Sequence, residues 1–372
     1  MAKCQETITC TVKQYRLAKG WSQEDLADRL AIRRQAVYDI ESGRYLPNTA
    51  IALRLASLFG CRVEDLFVDG QSSKPHTLHM INGTPEPSCR LVLGRVRNRL
   101  VGIPLSGSEA LSTGFRSANG FLDQDGKNAQ FLSSPECIDK SVILMGCDPA
   151  FQILGDHVSR ISSDVSIMCR FASSHRALDG LAKGLTHVAG THLHNTGSGE
   201  ANVDAVRRKL GGSQVKVLGF SLLEEGLMIA RGNPLGIRTV FDLAQPGIRF
   251  VNREPGAALR VLLDDLRQRS GIPESAITGY DSTVASHREG AWHILCGVAD
   301  AALGLKAVAE AYNLGFVPLA SVRCDMVIPE DLMTHAGVSI LLDVLQSGGL
   351  RKEIGTLPGY GNSVTGNTIS TH

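Results

Sequence analysis

The residues best suited to chemistry fall into two groups. The first is a polar cluster in which Arg33, Arg34, Gln35, Tyr38 and Asp39 share one side of a short helical period, opposite Ala36, Val37 and Ile40. Fork-shaped side chains on the first turns of one helix suit the reading of base edges in a major groove, Arg to guanine and Gln to adenine. Each such pairing discriminates by about 1–3 kcal/mol. The second group sits where apolar strand-like runs give way to helical periods: Asp148-Pro149, Ser173-Ser174 and Pro255-Gly256-Ala257. Helix starts carry unpaired N–H groups and roughly half a positive charge, so several together suit an anion without any charged side chain. Ser173, Ser174 and Thr191 add hydroxyl donors. Arg253, after Asn252, offers a fork for a phosphate or carboxylate, or else a salt bridge with Glu254 or Asp264. Asp148 would repel an anion unless its carboxylate turns back to cap its own helix, with Pro149 at the first helical position.

Two further readings attach to the same residues. Cys147, beside a helix start, is expected to have a lowered thiol pKa, or else to be a buried structural cysteine. Cys147, Asp148 and His192 would make a nucleophile, an orienter and a base, but no catalytic motif surrounds Cys147, and the chain reads as a non-enzyme. His187, His192 and His194 lack a further paired ligand and read as a polar loop, so no metal or cofactor is expected.

These groups need two kinds of scaffold. At 372 residues the chain suits two or three domains, and its 43% hydrophobic content is that of a soluble protein. No apolar run reaches the roughly 18 residues of a membrane helix, and MAKCQETITC has no leader-like apolar stretch, so the expected location is the cytoplasm. Nine scattered cysteines without CxxC pairing point to free thiols in a reducing compartment. The net charge is only +1, yet residues 1–60 hold nine Lys or Arg against six Asp or Glu, which permits a nucleic-acid partner.

Residues 8–67 read as five short helices, with Ser22 as an N-cap and Gly43 and Gly60 as stops. The expected organisation is a helical domain over 1–69, a Gly/Ser/Pro linker over 70–89 and a small β-containing connecting element over 90–139. An α/β ligand domain over 140–361 and a disordered tail over 362–372 follow. From Lys140 strands alternate with helices, implying parallel sheets with ligand sites at strand ends, and the length suggests two lobes. The lobes are expected over 140–228 plus 318–361 and over 232–313, joined by crossovers near Gly226–Asn233 and Gly315–Cys324.

The first segment resembles the XRE (phage-repressor) helix-turn-helix family through Ser22-Gln23-Glu24, Leu26-Ala27, Arg34-Gln35, Glu41-x-Gly43 and the run from Ala56 to Phe67. The resemblance implies that Arg34, Gln35, Tyr38 and Asp39 face bases, while Gln23 and Arg44 contact phosphates. Ala31 stands where the family's turn usually has Gly, and Arg33 where a small N-cap is common. The second segment resembles the periplasmic-binding-protein-like domain of bacterial regulators and molybdopterin-biosynthesis proteins. The matching stretches include Gly146-Cys147-Asp148-Pro149, Ala172-Ser173-Ser174-His175, Ala189-Gly190-Thr191-His192-Leu193 and Asn252-Arg253-Glu254-Pro255-Gly256. That resemblance implies a small oxyanion such as molybdate or tungstate, or a pterin-type compound, bound by Cys147, Asp148, Ser173, Ser174, Thr191, His192, Asn252, Arg253, Gly256 and Ala257. The expected protein is a multidomain regulator, a homodimer on a double-stranded operator with half-sites about one helical turn apart. The rival reading is a solute sensor acting through protein partners, with the helix-turn-helix serving only dimerisation.

Overall fold

The computed structural model describes residues 8–69, 78–81, 86, 88–107, 115–124, 126–195 and 199–371. Two compact units divide the chain, residues 1–76 and 77–372.

The first unit runs β1 (Ile8–Cys10), α1 (Val12–Ala18), α2 (Gln23–Leu30), α3 (Arg34–Glu41), α4 (Thr49–Phe59), α5 (Val63–Leu66) and β2 (Phe67–Asp69). Ser22 starts α2 through a reciprocal capping box with Asp25, and Asn48 caps α4 by accepting from the Ile51 N–H. α2 stops at Ala31, whose φ of 54° is left-handed, the conformation that glycine adopts without strain. Arg33 stands at the N-cap of α3 with no side-chain cap bond. Leu26, Leu30, Val37, Ile40, Leu55 and Phe59 meet in one core. Arg16, itself buried, clamps Glu41 of α3 in a two-pronged pair at 2.6 and 3.1 Å. The antiparallel pairing of β1 with β2, which the helical reading did not include, ties the two ends of the unit together.

The second unit opens with a five-stranded sheet in the order β3-β5-β4-β6-β7, built from β3 (Leu78–Met80), β4 (Arg90–Val96), β5 (Arg99–Pro104), β6 (Gly120–Leu122) and β7 (Ala129–Phe131). β3 lies inside the stretch read as a linker, because Leu78 and Met80 can pack their side chains on this sheet. The rest of that linker, residues 70–77, 82–85 and 87, falls outside the described residues. α6 (Pro135–Lys140) follows, capped by Ser134.

The main sheet has the order β13-β12-β14-β11-β15-β10-β8-β9. One lobe holds β8 (Val142–Gly146), α7 (Phe151–Ile161), β9 (Ile167–Phe171), α8 (Ser174–Ala182), β10 (Val188–Thr191) and α9 (Ala201–Leu210). β11 (Val215–Ile229) leaves it for the other lobe, which holds β12 (Phe250–Arg253), α10 (Ala258–Arg269), β13 (Thr283–Val284), α11 (His287–Leu295), β14 (Ala301–Leu305) and α12 (Lys306–Ala311). β15 (Gly315–Pro329) returns, and α13 (Ala336–Leu345), α14 (Gly348–Ile354), β16 (Tyr360–Gly361) and β17 (Thr368–Thr371) finish the first lobe. Within each lobe the neighbours β8–β9, β8–β10, β12–β14 and β12–β13 are parallel, and the central strands β8 and β14 are buried, apolar runs.

Three expectations are corrected here. The crossovers read near Gly226–Asn233 and Gly315–Cys324 fall at the far end of β11 and the start of β15, two 15-residue strands that pair antiparallel from end to end with two bulges, where short separate strands were expected. The tail read as disordered, 362–372, contributes β17, which pairs with β11 because that strand has free edge positions to fill. The first helix after Asp148 starts at Phe151 with Ala150 at its N-cap, not at Pro149.

Beneath β8–β10, Ile81, Val92, Val96, Val101 and Ile103 of the five-stranded sheet share a core with Ile143, Met145 and Met168. That sheet is therefore fastened to the first lobe. His187 pins the join: its Nδ1 accepts from the Ile143 N–H at 3.0 Å, while its Nε2 donates to the Arg95 carbonyl at 3.0 Å.

Candidate functional site

In the first unit, Val37 and Ile40 turn inward from α3 while Arg33, Arg34, Gln35 and Tyr38 are exposed and Asp39 is half-buried. Gln35 Nε2 donates to Asp39 Oδ1 at 3.1 Å, which orders the carboxamide on the helix surface. Arg44, just past α3, lies 5.5 Å from the centre of the Tyr38 ring. Gln23 stands apart from the others, since its side-chain amide is taken by Glu41 Oε2 at 2.9 Å. A helix exposing guanidinium, carboxamide and phenol groups on one face, held by a buried ion pair behind, has the form needed to enter a major groove.

In the second unit the sheet sends four helix starts to one gap. The starts of α8 at Ser173-Ser174 and of α7 near Asp148-Pro149 come from the first lobe, and those of α10 at Ala257-Ala258 and of α11 at Ser286-His287 come from the second. The gap has two compartments that share Cys147 and His287. The inner one, between Ser173, Ser174 and His192 on one side and Arg253, Ala257 and Ala258 on the other, holds only about 10 Å³, room for roughly one water. The outer one holds about 370 Å³, within the size range of small-molecule sites.

The polar groups behind the gap are tightly satisfied. Asp148 turns back as expected, with Oδ1 accepting from the Ala150 N–H at 2.8 Å and from the Tyr360 hydroxyl at 2.6 Å, and Oδ2 from Ser221 at 2.9 Å. Burial raises its pKa above the usual carboxylate range, against the pull of those donors. Cys147 Sγ is 3.0 Å from His192 Nδ1. The expected lowering of its pKa is overturned: with the thiol fully enclosed, burial pushes it well up, and the nearby Arg253 only partly opposes this. Burial likewise lowers the pKa of His192, partly offset by Glu225. Glu225, wholly buried on β11, sits 3.2 Å from His192 Nε2 and 2.8 Å from His194 Nε2. These are ion-pair distances without hydrogen-bond alignment. Among the described residues no group of three or more His, Cys, Asp or Glu is placed to hold a metal ion.

Arg253 is buried, and its donors are engaged. It donates to Glu254, to the carbonyls of Val284 and Ala285, and to His287 Nδ1 at 3.2 Å. Accepting from Arg253 requires a neutral ring, and burial together with that cation holds the His287 pKa well below its ordinary value. Arg253 is thus a brace across β12 and the start of α11, lining the gap without a spare fork. Of the other residues singled out from the sequence, Cys147, Asp148, Ser173, Ser174, His192 and Ala257 line the gap, whereas Thr191, Asn252 and Gly256 do not. Thr191 is enclosed and Asn252 holds the Tyr280 carbonyl at 3.1 Å. Gly256 makes the positive-φ turn, at 82°, before α10. Sequence reasoning missed Arg116, Arg170, Phe171 and Arg288 in the outer wall and Glu225, Ser221 and Tyr360 behind it. The arginine after a strand-like run at 167–169 was the one available signal.

A family model described as a PBP superfamily domain matches residues 155–346, and a helix-turn-helix model matches residues 12–66. The chain belongs to the PBP superfamily. It is a PBP-like ligand-binding domain fused to an N-terminal XRE-type helix-turn-helix, and so a helix-turn-helix transcriptional regulator. YvgK of Bacillus subtilis is 27% identical to this PBP-superfamily chain over 229 residues, covering 62% of this chain and 73% of YvgK. A helix-turn-helix transcriptional regulator of Methanocaldococcus jannaschii is 40% identical over 57 residues, 15% of this chain and 86% of that one. The chain is also similar to a protein of Clostridium perfringens described as a phosphate ABC transporter substrate-binding protein, with 14% identity and a TM-score of 0.45, covering 59% of this chain and 98% of that one. No helix among the described residues is long and apolar enough to cross a membrane.

Proposed function

We propose that this protein is a cytoplasmic, dimeric, ligand-responsive transcription regulator that reads an operator with α3 and senses a small anion between the lobes. The observation that carries the reading is the meeting of four helix starts, two from each lobe, at one gap. Helix starts converging from both sides bring partial positive charge together, which favours a closed form only when something negative lies between them. The anion is of the molybdate or tungstate type, or a molybdopterin-type compound. The protein is not an enzyme on this reading. Arg34, Gln35, Tyr38 and Asp39 face bases, while Arg33 and Arg44 face the backbone; Gln23 supports Glu41 instead. Binding shifts an open–closed equilibrium only by its preference for one state, about 5.5 kcal/mol for a near-complete switch.

The test is a gel shift on a selected operator with and without molybdate, tungstate, phosphate and a molybdopterin extract. Arg34→Ala with Gln35→Ala is expected to weaken operator binding at least about 30-fold, from two fork contacts at about 1–3 kcal/mol each. Unchanged affinity in the double variant removes the DNA-reading proposal. Operator affinity that ignores every anion removes the sensor.

A further inference from the structure

Resting on the anion-sensor reading, we infer that the ligand is a ring-bearing anion seated in the outer compartment, not a bare tetrahedral oxyanion in the inner gap. Size argues first. A tetrahedral oxyanion displaces on the order of two to three waters, which need roughly 20–45 Å³ of cavity at about 10–15 Å³ each. The inner gap holds about 10 Å³ and the outer about 370 Å³, so the former is too tight for such an ion and the latter leaves it loose.

Charge argues second. Arg253, the arginine of the inner gap, has its donors taken by Glu254, two carbonyls and His287. The outer compartment is lined by three more guanidinium groups, Arg116, Arg170 and Arg288, which also hold protein partners, among them the Ile167 carbonyl for Arg116 and the Tyr312 hydroxyl for Arg288, and by the starts of α7 and α11. Its carboxylate, Asp148, is turned away onto Tyr360, Ser221 and the Ala150 N–H. Net positive potential therefore falls on the outer space.

Surface chemistry argues third. Phe151 and Phe171 give that space aromatic walls, with Phe115 fully exposed at its rim. Phe171 is held rigid by the Arg253 guanidinium 5.2 Å from its ring centre and by an edge contact with His287 at 5.7 Å. A bare oxyanion gains nothing from aromatic walls, whereas a planar ring carrying a phosphate or carboxylate matches both wall types.

The test is calorimetric titration and thermal shift of the full chain. Phenyl phosphate, pyridoxal phosphate and pterin-6-carboxylate are compared with inorganic phosphate and molybdate. At least one ring anion is expected to bind 10-fold or more tightly than either inorganic anion, and Arg288→Gln, at an exposed position, to weaken it at least 10-fold. A Phe171→Leu variant is expected to weaken the ring anions several-fold and the inorganic anions not at all. Inorganic anions that bind as tightly as the ring anions, or ring-anion binding indifferent to Arg288→Gln, overturn the inference. Inorganic anions that switch operator affinity while ring anions do nothing leave the sensor standing and this inference refuted. If nothing binds, both fall.

Discussion

His187 offers a direct test of how the five-stranded sheet is held to the first lobe. Its ring bridges the Ile143 N–H and the Arg95 carbonyl, so the structure needs the neutral tautomer with the proton on Nε2. Burial first, then the neighbouring His335, lower its pKa from 6.5 to about 3. A base with a depressed folded-state pKa binds fewer protons folded than unfolded, so its contribution is complete above pH 6.5 and is lost as pH falls below that value. Between pH 7 and pH 5 the unfolded imidazole charges and the folded one does not, a loss of about 2 kcal/mol at about 1.4 kcal/mol per unit. Trp21 and Trp292 are the two tryptophans, one in each unit. In a Trp21→Phe background, Trp292 fluorescence in guanidinium titrations reports the ligand-binding unit alone. His187→Gln is expected to lower stability at pH 7 by about 1–3 kcal/mol, because one buried partner is left unsatisfied. It is also expected to flatten the decline between pH 7 and pH 5 by about 2 kcal/mol relative to the parent. His192 and His287 also have lowered pKa values and steepen both curves equally, so the difference belongs to His187. Parallel curves for parent and variant refute the neutral bridge.

Other outcomes follow from single features. Ala31→Gly relieves a left-handed alanine costing about 1–2 kcal/mol, offset by glycine's greater unfolded freedom of about 0.5–1. The net is a gain of about 0.5–1 kcal/mol in urea unfolding of the first unit. Gly226→Ala places a Cβ 2.0 Å from the Val317 carbonyl oxygen and is expected to cost about 1–3 kcal/mol and to blunt any anion response, read by thermal shift. Cys147, enclosed and with its pKa raised, is expected to resist iodoacetamide at pH 8 at least 100-fold longer than exposed Cys296, as read by peptide mass mapping. Equal labelling rates contradict that enclosure.

Much of the architecture was legible because local signals agreed with it. The capping serine at Ser22, the glycines at 43 and 60 and the helical period of α2 to α4 mark the first unit, and apolar runs ending at Gly146, Phe171 and Thr191 mark strand ends. The two long strands β11 and β15 were not, because charged side chains at Glu225 and Arg323 look like solvent positions until the buried His192 and Asp325 are seen beside them. Asp148's turned-back carboxylate followed from the cost of a bare charge beside an anion site. Arg253's salt bridge with Glu254 was one of its two readings, but its carbonyl partners at Val284 and Ala285 were not legible, since they come from a distant strand end. The tail escaped for a similar reason: Thr368–Thr371 is polar, and only the open edge of β11 makes it a strand.

The twinned strands that join the lobes also restrict how such a protein can be altered. Leu223 faces Val322 and Leu227 faces Val317 across the ribbon. A residue inserted in one strand alone slips the ladder and turns every following side chain to the opposite side. Apart from the bulges the ribbon already carries at Phe220 and Leu319, an insertion keeps the register only when matched in both strands, and a chimera that exchanges the distal lobe must be cut through both at opposed positions such as Leu223 and Val322. Within those two cuts the distal lobe, which brings Arg288 and the starts of α10 and α11 to the gap, can be replaced as a cassette while the half bearing the five-stranded sheet is left untouched.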